Sequence, residues 1–171
     1  MTAIRFAALL LLVLLPGRAV AQPLAIEGVE IVEFGLFATK LEQKVRDADA
    51  PVGHLNMVSG HTLLERGDEF CAKLNLEFGV KYRVLGKAVG KPVTLDMVTV
   101  FPPSGMTNAA GKRFAKSGFK QAVIIGDTAA RTYSFEEPWE MVPGVWTFEF
   151  HYLGRKLGEK QFKILPSCPI S

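Results

Sequence analysis

The chain has 171 residues, 49% of them hydrophobic and 22% charged, with a formal net charge of +3. That length suits one domain with a core of its own. Arg5 and Arg18 fall in an N-terminal segment that reads as removable, so the mature charge is +1, which excludes the strongly basic surface of a nucleic-acid binder.

Arg5, the apolar run Phe6 to Leu15, the break at Pro16-Gly17 and the small-x-small site Ala19-Val20-Ala21 form a secretory signal peptide, cleaved after Ala21. The run is too short for a membrane anchor, which needs about 20 apolar residues. The expected organisation is therefore a signal peptide over 1–21 and a single domain over 22–171, placed in the periplasm or secreted, with no transmembrane anchor. Cys71 and Cys168 both lie in the mature part. In an oxidising compartment an even cysteine count favours a Cys71–Cys168 disulfide.

Ile26 to Phe37 is β-branched and aromatic and reads as a first strand, with Gly35 marking a bulge. Ala38 to Pro51 is polar, with a thin apolar stripe, and reads as a loop with a helical turn or two. Leu55 to Leu64 reads as a strand. From Glu69 to Val84 every even residue is apolar, from Phe70 through Phe78 to Val84, and the odd ones are mostly polar. That period of two predicts one long strand with a wet face and a bend near Gly79. Cys71 then belongs to the wet face, so its bridge would pin the C-terminal tail across the outside of a sheet.

Val93 to Phe101 is the next strand, stopped by Pro102-Pro103. Phe101 to Gly118 reads as the longest irregular segment, and Lys112, Arg113, Lys116 and Lys120 make it mildly basic. Ala122 to Ile125 and Arg131 to Phe135 read as short strands about Gly126-Asp127. After the turn at Pro143-Gly144 come Trp146, Phe148, Phe150 and Tyr152 on one parity, with Thr147, Glu149 and His151 on the other. Leu153 to Lys156 is a turn, and Phe162 to Leu165 returns. Seven or eight short strands and almost no helical periodicity predict an all-β chain: a single antiparallel β-sandwich of the immunoglobulin-like kind. A small β-barrel is the alternative.

Four pieces also resemble a known family in order and spacing: Phe78-Gly79-Val80-Lys81-Tyr82-Arg83-Val84; Phe101-Pro102-Pro103-Ser104-Gly105-Met106; Tyr133 to Gly144 with its Trp139-Glu140-Met141-Val142-Pro143-Gly144; and Trp146 to Phe150 followed by Gly154-Arg155-Lys156-Leu157. Together they resemble the bacterial exported domain of unknown function 3859. The resemblance implies a β-rich exported domain with no assigned activity, and it carries over no catalytic residue.

No catalytic motif accompanies this pattern. A hydrolase elbow, Gly-x-Ser-x-Gly, is absent, and Ser59-Gly60-His61 is adjacency rather than triad geometry. The glycine spacing at Gly105 to Lys112 does not match a phosphate loop. Glu136 and Glu137 are strand neighbours that would point to opposite faces, which is wrong for paired-carboxylate chemistry; with Glu140 they read as a charged edge. His54, Met57 and His61 are a candidate copper set, because imidazole and thioether suit Cu(I), although His54 and His61 differ in parity. His151 reads as solvated, on the polar face of the hairpin. The reading that remains is an exported, non-enzymatic binding or interaction module without a cofactor. Its partner is an envelope protein or ligand, and its candidate contact surface is Phe101, Pro103, Lys112, Arg113 and Trp139. The alternatives are periplasmic metal handling and a hydrolase whose site assembles only in three dimensions.

Overall fold

The even-numbered aromatics Phe78 and Tyr82 face Trp146, Phe148 and Phe150 across a sandwich in the computed structural model, which describes residues 24–166. One sheet runs β2 (His54–Arg66), β1 (Ile26–Arg46), β4 (Glu77–Gly86), β9 (Thr128–Ser134). The other runs β3 (Glu69–Cys71), β11 (Arg155–Leu165), β10 (Gly144–Tyr152), β5 (Pro92–Val100), β8 (Lys116–Ile124). A two-stranded hairpin, β6 (Met106–Thr107) with β7 (Arg113–Phe114), closes one end. The two sheets do not join into a closed ring, so the architecture is a sandwich and not a barrel.

The core is aromatic. Phe78 on β4 lies 5.6 Å from Phe148, 5.9 Å from Trp146 and 5.2 Å from Phe162 between ring centroids. Tyr82 lies 4.7 Å from Phe150. Stacked and edge-on geometries of this kind satisfy the ring quadrupoles while removing large apolar areas from water. Gly79 follows from that packing: a Cβ there would fall 2.2 Å from the Arg131 carbonyl oxygen of β9, so only glycine allows the two strands to pair. It is a close approach rather than the bend the sequence suggested. The β10–β11 turn is tight because Leu153 and Gly154 both take positive φ, 47° and 79°, as a two-residue primed turn requires.

Four expectations are corrected. The even-parity run of 69–84 is two strands, not one. β3 pairs in parallel with β11, whereas β4 sits in the opposite sheet. Between them Leu74 is 40% exposed and Asn75 has φ 62°. The alternation survives this sheet switch because Phe70 and Phe78 are buried in the same interior. The parallel β3–β11 pair also departs from an all-antiparallel plan.

The polar stretch 38–46 is strand rather than loop. It leaves the sandwich and pairs with β2 as a ribbon wet on both faces, so backbone pairing holds it with no buried stripe to announce it. Register shifts next to Leu36 and Ala38 bend it, with Gly35 adjoining the first. Lastly, 101–118 is not one irregular loop: it holds the β6–β7 hairpin and the start of β8.

Removing the Trp146 ring leaves a cavity at the centre of this seam. Trp146→Ala is expected to cost about 3–5 kcal/mol of unfolding free energy, read from urea denaturation. A loss below about 1 kcal/mol would show that the ring is not core.

Candidate functional site

Past the end of β4 the β1–β2 ribbon carries Lys44 opposite Asn56 and Arg46 opposite His54. Residues two apart on a strand share a face, so His54 and Asn56 point the same way. Both meet Glu136, which lies just beyond β9. Lys44 Nζ is 2.6 Å and His54 Nε2 3.2 Å from Glu136 Oε2, and Asn56 Nδ2 donates to Glu136 Oε1. Burial alone would raise the Glu136 pKa, but these three partners outweigh it and hold the carboxyl below its ordinary value.

The ribbon tip is pinned separately. Gly53, at φ 79°, donates to the Ala50 carbonyl, and Ala50 is buried. Asn108, in the β6–β7 turn, donates from Nδ2 to the Pro51 carbonyl at 3.2 Å. Its Oδ1 accepts from the Ala110 and Lys112 amides at 3.1 and 3.0 Å. One asparagine thus shapes its own turn and anchors the neighbouring tip.

The third wall is the segment 136–140, ending in a single 3-10 turn, Pro138–Glu140. Glu140 is almost wholly buried. Its carboxylate accepts from the Glu136 and Glu137 amides, each at 2.8 Å, and from the Tyr133 hydroxyl at 2.6 Å. Burial raises the Glu140 pKa, and burial with the adjacent Glu140 pushes Tyr133 well above its ordinary value. This internal acceptor fixes the loop and so aims Glu136.

These three walls bound a cleft of about 440 Å³. Its lining includes His54, Asn108, Lys112, Glu136, Glu137 and Trp139. Lys112 Nζ rests over the Phe114 ring at 4.7 Å. Trp139 is half-buried and also packs on the core.

The structure therefore redistributes the residues singled out from sequence. Trp139, Lys112 and His54, proposed for different reasons, share this cleft. Arg113 and Pro103 do not line it: Arg113 Nη2 donates to the Pro103 carbonyl at 3.0 Å on the exposed side of the hairpin. Phe101 is no contact residue. It is only 3% exposed and packs 5.0 Å from Trp146, because the parity of β5 carries one residue past the strand end. Met57 is 53% exposed, away from His54. His61 is half-buried, its pKa lowered by burial, with Glu77 and Lys81 nearby. The parity count that separates His54 from His61 fails at the bulge, where Gly60 and His61 together oppose only Thr39. His54 is engaged by Glu136 while His61 has Glu77 and Lys81 nearby, and among the described residues no group of three or more His, Cys, Asp or Glu is placed to hold a metal. His151 is half-buried and pairs with Glu149 at 2.9 Å. Cys71 lies beside Leu165 in register, while Cys168 and the signal-peptide segment lie outside the described residues.

The sequence pattern reads Glu136, Glu137 and Glu140 as a charged edge, whereas Glu140 is buried and Glu136 is held by three partners; it gives no role to Asn108. Asn108-Ala109-Ala110-Gly111 carries a turn signal that could have flagged Asn108. The pattern also missed Arg131, which is 5% exposed and lies between the rings of Phe119 and Phe148 at 5.0 and 4.7 Å, donating to the Thr99 hydroxyl. Burial lowers its pKa to about 10.

The family model for a domain of unknown function (DUF3859) matches residues 26–164. Among solved structures, an immunoglobulin-like protein from Pseudomonas aeruginosa is similar at 27% identity and a TM-score of 0.56, over 80% of this chain and 96% of that one. A β-glucosidase from Listeria innocua, in complex with glucose, matches at 10% identity and a TM-score of 0.32, over 77% of this chain and 16% of its own length; at that score the likeness carries no argument. No curated protein matches.

The depressed Glu136 pKa sets an acid dependence. A carboxyl with a lowered folded-state pKa stabilises fully above its unfolded value and loses that contribution as pH falls through the folded value. The stability gap between the native chain and Glu136→Gln is therefore expected to be widest near neutrality and to close as pH drops below the ordinary value of 4.5. Urea midpoints from neutral to about pH 3 measure it; a gap independent of pH would contradict the assignment.

Proposed function

This chain belongs to the DUF3859 family, and from that premise we propose that it is an exported cell-envelope module that binds a partner or ligand in the cleft beneath the ribbon tip, without catalysis. The single observation that carries this reading is the cleft itself. Turns and a 3-10 segment on a rigid sandwich gather an aromatic side chain, an imidazole, an amide and charges of both signs, the usual make-up of a recognition site. Glu136 and its loop neighbour Glu140 are poorly placed for catalysis. Glu136 is held ionised by three donors, and Glu140 is turned inward on its own loop.

Export rests on the signal-peptide pattern of residues 1–21. A periplasmic or secreted location follows from it. No described helix is long and apolar enough to cross a membrane. The Cys71–Cys168 bridge belongs to the same proposal. β3 and β11 set Cys71 next to Leu165, three residues before Cys168, a span of at most about 10 Å of extended chain.

Two measurements test this. Affinity capture from envelope extract is expected to return a specific partner with the native chain and to lose it with Trp139→Ala or Lys112→Glu; equal recovery would remove the cleft as the contact site. Intact mass of exported protein is expected to rise by about two mass units on reduction, the two hydrogens a disulfide takes up. An unchanged mass would refute the bridge.

A further inference from the structure

The cleft's chemistry narrows what it can hold. Its charges nearly cancel. Glu136 is neutralised by Lys44, which leaves Glu137 and Lys112, one charge of each sign, on the lining. A polyanion would find one lysine, already seated over a ring, where phosphate recognition needs several cations. A peptide added as a further strand needs an unpaired strand edge for its backbone. The walls here are instead the 47–53 turn, the 108–112 turn and the Pro138–Glu140 segment.

What remains is a neutral ligand that is polar around its rim and apolar on its face. Trp139 offers part of an indole to the cleft while the rest packs on the core. Its negative π-face attracts weakly positive C–H groups, such as those on the flat of a pyranose ring. Around it stand both donors and acceptors: His54, Asn108, Lys112, Glu136 and Glu137. Small residues at Ala48, Ala109 and Ala110 keep the opposite walls low. The volume of about 440 Å³ lies within the range of small-molecule sites.

We infer that this cleft is a site for a neutral carbohydrate, one or two sugar rings of an oligosaccharide, stacked on Trp139 and hydrogen-bonded by the surrounding polar side chains. The inference rests on the cleft's being the contact site proposed above. The mature protein is titrated with maltotetraose, cellotetraose and chitotetraose as neutral probes, and with an alginate tetramer as an anionic one. Binding is read by calorimetry and by tryptophan fluorescence, in which Trp139 is the cleft reporter and Trp146 the buried reference.

Saturable binding of at least one neutral probe is expected, with a dissociation constant of roughly millimolar order for so open a site. Trp139→Phe keeps a ring and retains it. Trp139→Ala weakens it about tenfold or more. Ala110→Trp, at an exposed position, fills the cleft from the far wall and abolishes binding without touching the core, so the test survives if Trp139→Ala folds poorly. The inference is overturned if no neutral probe saturates by about ten times that concentration, if only alginate binds, or if Ala110→Trp binds like the native chain. Were no sugar to bind while Trp139→Ala still lost a captured partner, the carbohydrate assignment alone would fall; were capture also unaffected, the cleft would fall with it.

Discussion

Phe78 is the constraint on which the remaining structure depends. From the start of β4 its ring meets Trp146, Phe148 and Phe162 from the opposite sheet, and Phe135 and Tyr133 from its own side, all within 6.1 Å. Close-packed rings cannot slide without opening voids, so this seam sets the spacing and the register of both sheets. A one-residue slip of either strand would turn every aromatic outward.

Two charged groups lie buried beside the seam: Glu140 is hydrogen-bonded at both carboxylate oxygens, whereas Arg131 keeps Nε and Nη1 without a hydrogen-bond partner. Glu140 stays buried by collecting two amides and a tyrosine hydroxyl. Arg131 lies between two aromatic rings, where its charge faces their negative faces. The Glu140 arrangement has an outward effect. The loop it stiffens presents Glu136 to the ribbon, and Glu136 in turn holds Lys44, His54 and Asn56. A chain of contacts therefore runs from the aromatic core to the cleft wall.

Period-two patterning makes the core legible in the sequence: Phe78, Val80, Tyr82, Trp146, Phe148 and Phe150 all fall on the apolar parity and are all fully buried. Where burial does not drive the fold, the pattern is silent. The 38–46 stretch of the ribbon has no dry face, so it resembles a loop. Phe101 looked like a contact residue because Pro102 ends the strand, yet its side chain keeps the parity of β5. The family resemblance, drawn from motifs such as Phe78-Gly79-Val80 and Trp139-Glu140-Met141-Val142-Pro143-Gly144, agrees with the match over 26–164. The cleft was only half legible. Trp139 and Lys112 could be named one by one, but their meeting with His54 and Glu136 depends on where a bulged ribbon folds back, and no local spacing encodes that.

A rigid aromatic sandwich carries a ribbon whose outer half is fastened by the Glu136 carboxylate and whose tip is pinned by Asn108. Hydrogen–deuterium exchange compares the two parts in one measurement, since local opening and global unfolding are separately visible. In Glu136→Ala, amides of the ribbon between 38 and 62 should exchange faster, while β4 and β10 keep their protection. Unchanged ribbon exchange, or a loss of protection spread evenly through β4 and β10, would contradict that fastening.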